Sequence, residues 1–184
     1  PFFGICLGLQ TAIVEFARNV CGLAGAHSTE FVNQPPYKVI YKMRELVGVD
    51  QMGGTMRLGK YPCRLTPGTR AWKMYGGDEV WERHRHRYEV NPEYVPLFEE
   101  KGLVVSGKSP DRMFVEVIEL HDHPWYLACQ FHPEFKSRPY APHPIFRSFI
   151  AAAVDYHRQR KVQEADETAA VADASVATVT GGTT

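Results

Sequence analysis

Cys6 sits between two glycines in Phe3-Gly4-Ile5-Cys6-Leu7-Gly8, with apolar residues before it and a helical pattern directly after. A thiol at a sharp strand-to-helix turn is placed as a nucleophile. Such a turn needs small neighbours, because a side chain at Gly4 or Gly8 is expected to collide with adjacent backbone. It projects the sulfur at a helix N-terminus, where unpaired N–H groups and the helix dipole favour thiolate over thiol. A second group able to do chemistry is Gln130-Phe131-His132-Pro133-Glu134, at the end of an apolar run. A histidine just past the carboxyl end of a buried strand lies on the edge where α/β proteins build their sites. Pro133 stiffens the turn, and Glu134 is close enough in sequence to fold back and orient the His132 imidazole. Cys6, His132 and Glu134 together supply nucleophile, base and orienting carboxylate. Taken singly, each signal has an ordinary reading: a buried structural cysteine, or a loop histidine beside a solvated acid. Their co-occurrence points to covalent catalysis.

A third cluster is Glu82-Arg83-His84-Arg85-His86-Arg87-Tyr88-Glu89-Val90-Asn91. On a strand His84 and His86 share a face, as two metal ligands would. Arg83, Arg85 and Arg87 surround them, and clustered guanidinium charge works against a cation. No metal is expected there, nor at His121-x-His123. The arginines also raise the question of phosphate or nucleic acid. Lys plus Arg equals Asp plus Glu at 21 each, and no stacking aromatics interleave, so nucleic acid is not expected as a partner. Contact with a partner domain or a nucleotide effector stays open for them. Met52 to Gly59 reads as a mobile glycine-rich segment near the site, without phosphate-loop spacing.

The elements that must position these groups are visible as patterns. Phe2-Phe3 reads as a strand running into the Cys6 turn. Ala12, Ile13, Phe16, Ala17 and Val20 then recur at helical spacing, with Gly22 as a stop. Tyr37 to Met43 is a short strand. Residues 50 to 70, rich in Gly and Pro, are expected to form loops and short strands. Val80 to Val90 is extended, Pro92 opens a short helical segment ending near Lys101, and Gly102–Ser106 and Met113–Leu120 are strands. Trp125 to Phe131 is the buried strand that leads to His132. Pro144 opens a last helix with Ile145, Phe146, Phe149, Ile150 and Val154 on one face. These patterns give an α/β fold: a central, mostly parallel sheet with helices on both faces and the nucleophile at a strand-helix elbow.

The 184 residues have room for one domain, expected over residues 1–160. Residues 161–184 lack aromatics and end in Gly-Gly-Thr-Thr; they are expected to be a disordered tail, with helix conceivable only around 163–174. The four cysteines, Cys6, Cys21, Cys63 and Cys129, form no C-x-x-C pair, so free thiols in a reducing compartment, the cytoplasm, are expected. No apolar run is long enough to span a membrane. Pro1-Phe2-Phe3-Gly4 reads as a strand entered from upstream, so the chain is expected to be a piece of a longer polypeptide.

Phe3-Gly4-Ile5-Cys6-Leu7-Gly8-Leu9-Gln10, together with Phe131-His132-Pro133-Glu134-Phe135, resembles the class I glutamine amidotransferases. Those domains hydrolyse L-glutamine and pass ammonia to a synthetase partner. Three further strings, Ser28-Thr29-Glu30-Phe31, Met52–Gly59 and Glu82–Asn91, are similar to the CTP synthase branch of that family. The resemblance covers roughly residues 1 to 150. It implies Cys6 as nucleophile, His132 as base and Glu134 as third member of a triad. It also implies a glutamine site built from Leu7, Gly8, Leu9, Gln10, Glu30 and Arg87. A guanidinium such as Arg87 suits the substrate α-carboxylate, and a carboxylate such as Glu30 suits the α-ammonium. One donor to the tetrahedral intermediate is the Leu7 N–H, and the family's second oxyanion loop precedes the residues present here. His27 stands where the family usually has Asn.

The same resemblance implies no cofactor in this domain. ATP and magnesium belong to a synthetase domain of the same polypeptide, with GTP as a candidate effector and a homo-oligomeric full enzyme. The rival readings are another class I amidotransferase, a triad cysteine hydrolase such as a γ-glutamyl hydrolase, and a non-catalytic module retained for assembly.

Overall fold

The computed structural model describes residues 1–42 and 56–180, with side chains described through residue 167. The part of Met52–Gly59 before Met56 therefore lies outside the described residues. Strand β1 (Phe2–Ile5) runs through Cys6 into helix α1 (Leu7–Asn19). Helix α1 buries Leu9, Ala12, Ile13, Phe16 and Ala17, the apolar stripe that its spacing foretold. It stops before Gly22, which adopts φ 71°. Next come β2 (His27–Ser28), β3 (Lys38–Lys42), β4 (Arg57–Leu65), helix α2 (Arg70–Tyr75), β5 (Glu79–His86) and β6 (Tyr88–Val90). A 3₁₀ turn (Pro92–Tyr94) and helix α3 (Val95–Glu100) lead to β7 (Leu103–Lys108), β8 (Val115–Leu120) and β9 (Tyr126–Cys129). A second 3₁₀ turn (Pro133–Phe135) precedes helix α4 (Pro144–Thr180).

The main sheet has six strands in the order β1-β9-β8-β7-β4-β5, and β2-β3-β6 forms a smaller one. The α/β class is as expected, but the sheet is mixed rather than mostly parallel. In the main sheet only β1 and β9 pair in parallel, from Phe2↔Tyr126 to Ile5↔Cys129. The β9–β8, β8–β7, β7–β4 and β4–β5 pairs are antiparallel. Strands β7, β8 and β9 follow one another through short links, which suit antiparallel neighbours, whereas a parallel neighbour needs a long crossover.

Strand β4 is the larger departure. Gly59 and Pro62 lie inside one strand of 9 residues, where loops and short strands were expected, and Pro67 and Gly68 follow in a turn. Pro62 is tolerated because β4 pairs with β7 only at Arg64 and Leu65, so at Pro62 one edge faces no β7 partner.

Alternation along the strands divides the core between the two faces of the sheet. Ile118 and Ala128 join Leu9, Ile13, Phe16, Val90 and Phe98 beneath α1 and α3. Val117, Leu127 and Cys129 join Leu65, Ala71, Trp125, Phe131 and Ile145 beneath α2 and α4. The start of α4 is pinned by Phe3 against Phe146 (centroids 5.5 Å apart) and by Trp125 Nε1 donating to Ser148 Oγ at 2.9 Å.

Beyond residue 153 every described α4 side chain is exposed, yet the helix continues to Thr180. The segment expected to be disordered from 161 is thus helical in this structure. No Gly or Pro interrupts it before Gly181, and Arg160 and Glu164 pair at 2.6 Å one turn apart.

Candidate active site

Cys6 adopts φ 52° and ψ −101°, one of two non-glycine residues with positive φ among the described residues. Such a conformation costs about 1–3 kcal/mol and persists only where the surroundings over-determine it. Here the Cys6 N–H donates to Cys129 O at 2.7 Å, and the Cys6 carbonyl accepts from Leu9 N at 3.0 Å and Gln10 N at 3.3 Å. Both sides of the turn are therefore fixed, one by β9 and one by the first turn of α1.

A Cβ at Gly4 would lie 2.8 Å from the Gly8 carbonyl carbon and oxygen and 2.9 Å from Ala128 Cβ. The requirement for a small residue is real at that position. At Gly8 the expectation was wrong, because a Cβ there meets nothing within 4 Å. It is the backbone of Gly8, not a missing side chain, that Gly4 makes room for.

The sulfur's electrostatics also differ from expectation. Burial pushes the Cys6 thiol above its usual range; the Leu7 N–H opposes this, while Glu134, Glu89 and Glu30 add to the upward push. Desolvation outweighs the helix terminus. At neutral pH Cys6 is therefore a thiol rather than a thiolate.

The parallel register of β1 and β9 puts His132 on the same edge as Cys6. Ile5 pairs with Cys129, so the residues that follow, Cys6 and Gln130, leave adjacent strands side by side. Gln130 Nε2 donates to Cys6 Sγ at 3.7 Å, and Gln130 Oε1 accepts from Gln10 Nε2 at 3.3 Å. Two residues on, His132 Nδ1 meets Glu134 Oε1 at 2.6 Å. With the carboxylate on Nδ1, that nitrogen carries the proton and Nε2 has a free lone pair. His132 Nε2 is buried and has no protein partner. The ring stacks on Phe135 (centroids 5.3 Å, planes 26° apart).

A cleft of about 330 Å³ opens over the elbow, lined by Cys6, Leu7, Gln10, Glu30, Met56, Arg85, His86, Arg87 and Tyr88. It brings together Cys6, Leu7, Gln10, Glu30 and Arg87 of the residues singled out by sequence. Leu9 instead points into the core, fully buried, and Gly8 does not line the cleft. His132 and Glu134 stand outside the lining, beyond the end of β9. His27, the departure from the family pattern, accepts from Ser28 N through Nδ1 at 2.9 Å and lies beside Phe31.

Sequence reasoning did not assign Gln130 or Arg85 to the glutamine site, and it placed Met56 only within a glycine-rich segment near that site. Gln130 acquires one only through the β1–β9 register, which no local pattern reveals.

Among the described residues no group of three or more His, Cys, Asp or Glu could hold a metal ion. Strand β5 exposes Arg83 and Arg85 and buries Glu82, His84 and His86, and Arg87, just past its end, is exposed. Arg57, at the start of β4, occupies the space between buried carboxyls, 3.2 Å from Glu89 and 2.7 Å from Glu116. Burial pushes both carboxyls up, with Arg57 opposing. Burial and the Arg57 charge hold His84 down at about 2 and His86 down at about 3, so both rings are neutral.

One tautomer set fits the contacts. His86 Nδ1 donates to Tyr88 O at 3.1 Å, and its Nε2 accepts from His84 Nδ1 at 2.9 Å. His84 Nε2 then faces Glu116 Oε2 with a lone pair at 3.6 Å, and neither atom has a hydrogen-bond partner.

Comparison with known proteins agrees with this architecture. Residues 1–152 match the family model for glutamine amidotransferase class-I, and the chain belongs to that family. Within it, the likeness is to the CTP synthases. The chain is 57% identical over 158 residues to the CTP synthase of Acidobacterium capsulatum, covering 86% of this chain and 29% of that protein. It is 60% identical over 153 residues to that of Moorella thermoacetica, covering 83% and 28%. The chain thus spans under a third of the length of these curated relatives. Among solved structures, the glutaminase domain of Trypanosoma brucei CTPS with bound acivicin superposes with a TM-score of 0.78 at 38% identity. That match covers 84% of this chain and 60% of the other.

Proposed function

We propose that this chain is the glutaminase part of a CTP synthase, hydrolysing L-glutamine to glutamate and supplying ammonia for the amination of UTP to CTP. The observation that carries the reading is the Cys6 elbow opening into a cleft whose charged lining is Glu30, Arg85 and Arg87. One carboxylate facing guanidinium groups complements an α-amino acid zwitterion, with Arg87 on the α-carboxylate and Glu30 on the α-ammonium. Leu7 and Gln10 line the same wall, and buried Leu9 anchors them.

Because burial keeps Cys6 protonated, the first step is loss of the thiol proton to His132 Nε2, whose other nitrogen is fixed by Glu134. The thiolate attacks the carboxamide carbon, and the Leu7 N–H stabilises the resulting oxyanion. Collapse breaks the C–N bond, His132 returns its proton to the departing ammonia, and a thioester remains on Cys6. His132 then takes a proton from water, the hydroxide adds to the thioester, and the C–S bond breaks to release glutamate as His132 returns its proton to the departing Cys6 sulfur. On this reading ATP and magnesium act in the rest of the polypeptide, GTP is a candidate effector, the full enzyme is a homo-oligomer, and it works in the cytoplasm. Among the described residues no helix is long and apolar enough to cross a membrane.

The test is Cys6→Ala in the complete polypeptide. CTP formation from glutamine should vanish while formation from added ammonia persists, since the thiol does no chemistry on UTP. Loss of both together would make Cys6 structural and sink the assignment.

A further inference from the structure

Strand β5 has an unusual burial pattern for an edge strand. Its inward positions are Glu82, His84 and His86, where β7, β8 and β9 bury Val105, Val117, Ile118, Leu127 and Ala128. Burying polar side chains carries a desolvation cost unless each is bonded, so the bonds themselves show what the strand holds. We propose that β5 is a two-ended positioning strand: Glu82 fixes the segment carrying His132 and Glu134, and His86 fixes the turn carrying Arg87. This inference rests on the glutaminase reading above.

At the Glu82 end, Oε1 accepts from Lys136 Nζ at 2.9 Å, His143 Nε2 at 3.0 Å and Tyr75 Oη at 3.0 Å. Lys136 follows the 3₁₀ turn that contains Glu134, and its Nζ also donates to Trp81 O at 2.6 Å. The His132 N–H donates to Arg83 O at 2.8 Å. The segment from His132 to Lys136 is therefore tied at both ends to consecutive residues of β5. At the other end, His86 Nδ1 donates to Tyr88 O, which also accepts from Gln10 Nε2 at 3.1 Å. Arg87 is the residue spanned by that bond, at the break between β5 and β6. His84 holds the His86 ring from behind.

The two ends serve different steps. The Glu82 end governs proton transfer by His132, and the His86 end governs binding of the substrate α-carboxylate. Steady-state glutamine hydrolysis by the complete polypeptide separates them. Glu82→Gln and Lys136→Met should each lower kcat about 10- to 100-fold with KM for glutamine within about twofold, as misplacement of an acid–base group does. The double variant should be little worse than either single one. His86→Leu should raise KM about tenfold and change kcat less than about twofold, as loss of uniform binding does. His86→Asn, which keeps a donor at the Nδ1 position, should recover part of that rise.

Should Glu82→Gln not fold, the half-exposed Lys136→Met carries the kcat prediction. Should His86→Leu not fold, His86→Ser carries the KM prediction. An active parent whose variants at both ends change kcat and KM together, or change neither, overturns this proposal alone. A parent that releases no ammonia from glutamine overturns the functional reading and this inference with it.

Discussion

At the scale of single residues, the elbow separates two glycines that look alike in the sequence. Gly4 is packed against the Gly8 backbone and Ala128, while Gly8 faces open space. Gly4→Ala should therefore displace the β1–α1 turn and destabilise the fold by about 1–3 kcal/mol, as overpacking does. Gly8→Ala should cost less than about 0.5 kcal/mol, the range of an uncrowded substitution. Urea unfolding of the two variants measures this directly, and equal losses would contradict the packing described here. The residue types at this site were legible because the chemistry limits the choices: Cys6, His132 and Glu134 are few, and their neighbours are short and unusual. What local spacing could not carry was environment. The Cys6 thiol is pushed up because β1 and β9 bury it, and Gln130 reaches it only because two strands remote in sequence lie side by side.

At the scale of elements, strands with a continuous extended pattern are readable and a strand interrupted by turn formers is not. β8 and β9 announce themselves by Val, Ile and Leu, and β5 reads as extended although it buries Glu82, His84 and His86; β4 contains Gly59 and Pro62, whose types point to loops and short strands. Its strand character comes from pairing with β5, where Arg57 stands opposite His86 and meets Glu89 and Glu116 inside.

That buried network has a pH signature. His84 and His86 hold folded-state values of about 2 and about 3 against an ordinary 6.5. Below pH 6.5 the unfolded chain binds protons that the folded chain refuses, so their contribution is complete above that pH and is lost as pH falls. Glu89 and Glu116, pushed above their ordinary 4.5, act oppositely and favour the fold at low pH. Glu89, pushed up to about 8, offsets part of the histidine effect between pH 4.5 and 6.5, and below pH 4.5 the two histidines still favour the unfolded chain as pH falls. Replacing both His84 and His86 by Gln should flatten the loss of unfolding free energy between pH 4.5 and pH 3 by about 1.4 kcal/mol per pH unit for each ring. An unchanged slope would mean that the rings are protonated in the fold.

At the scale of the whole molecule, α4 divides into a part that belongs to the core and a part that does not. Ile145 is fully buried, and Phe146 and Phe149 pack on Phe3 and Trp125, so the first turns close one face of the sheet. From residue 154 to 167 every side chain is exposed, and only short-range pairs such as Arg160–Glu164 accompany the backbone. Helical propensity accounts for the persistence of the helix, but surface pairs of that kind contribute only about 0.3–0.5 kcal/mol each. The composition argued for disorder from the lack of apolar residues to bury, but Ala, Glu, Lys and Gln favour helix by local propensity, which that argument did not weigh. Ending the polypeptide after Arg160 should lower the helical circular dichroism while leaving the melting midpoint within about 2 °C and glutamine hydrolysis unchanged. A fall of more than about 4 °C, or a loss of hydrolysis, would show that the distal helix docks on the rest of the protein, and the exposed face of α4 would then have to be counted as an interface.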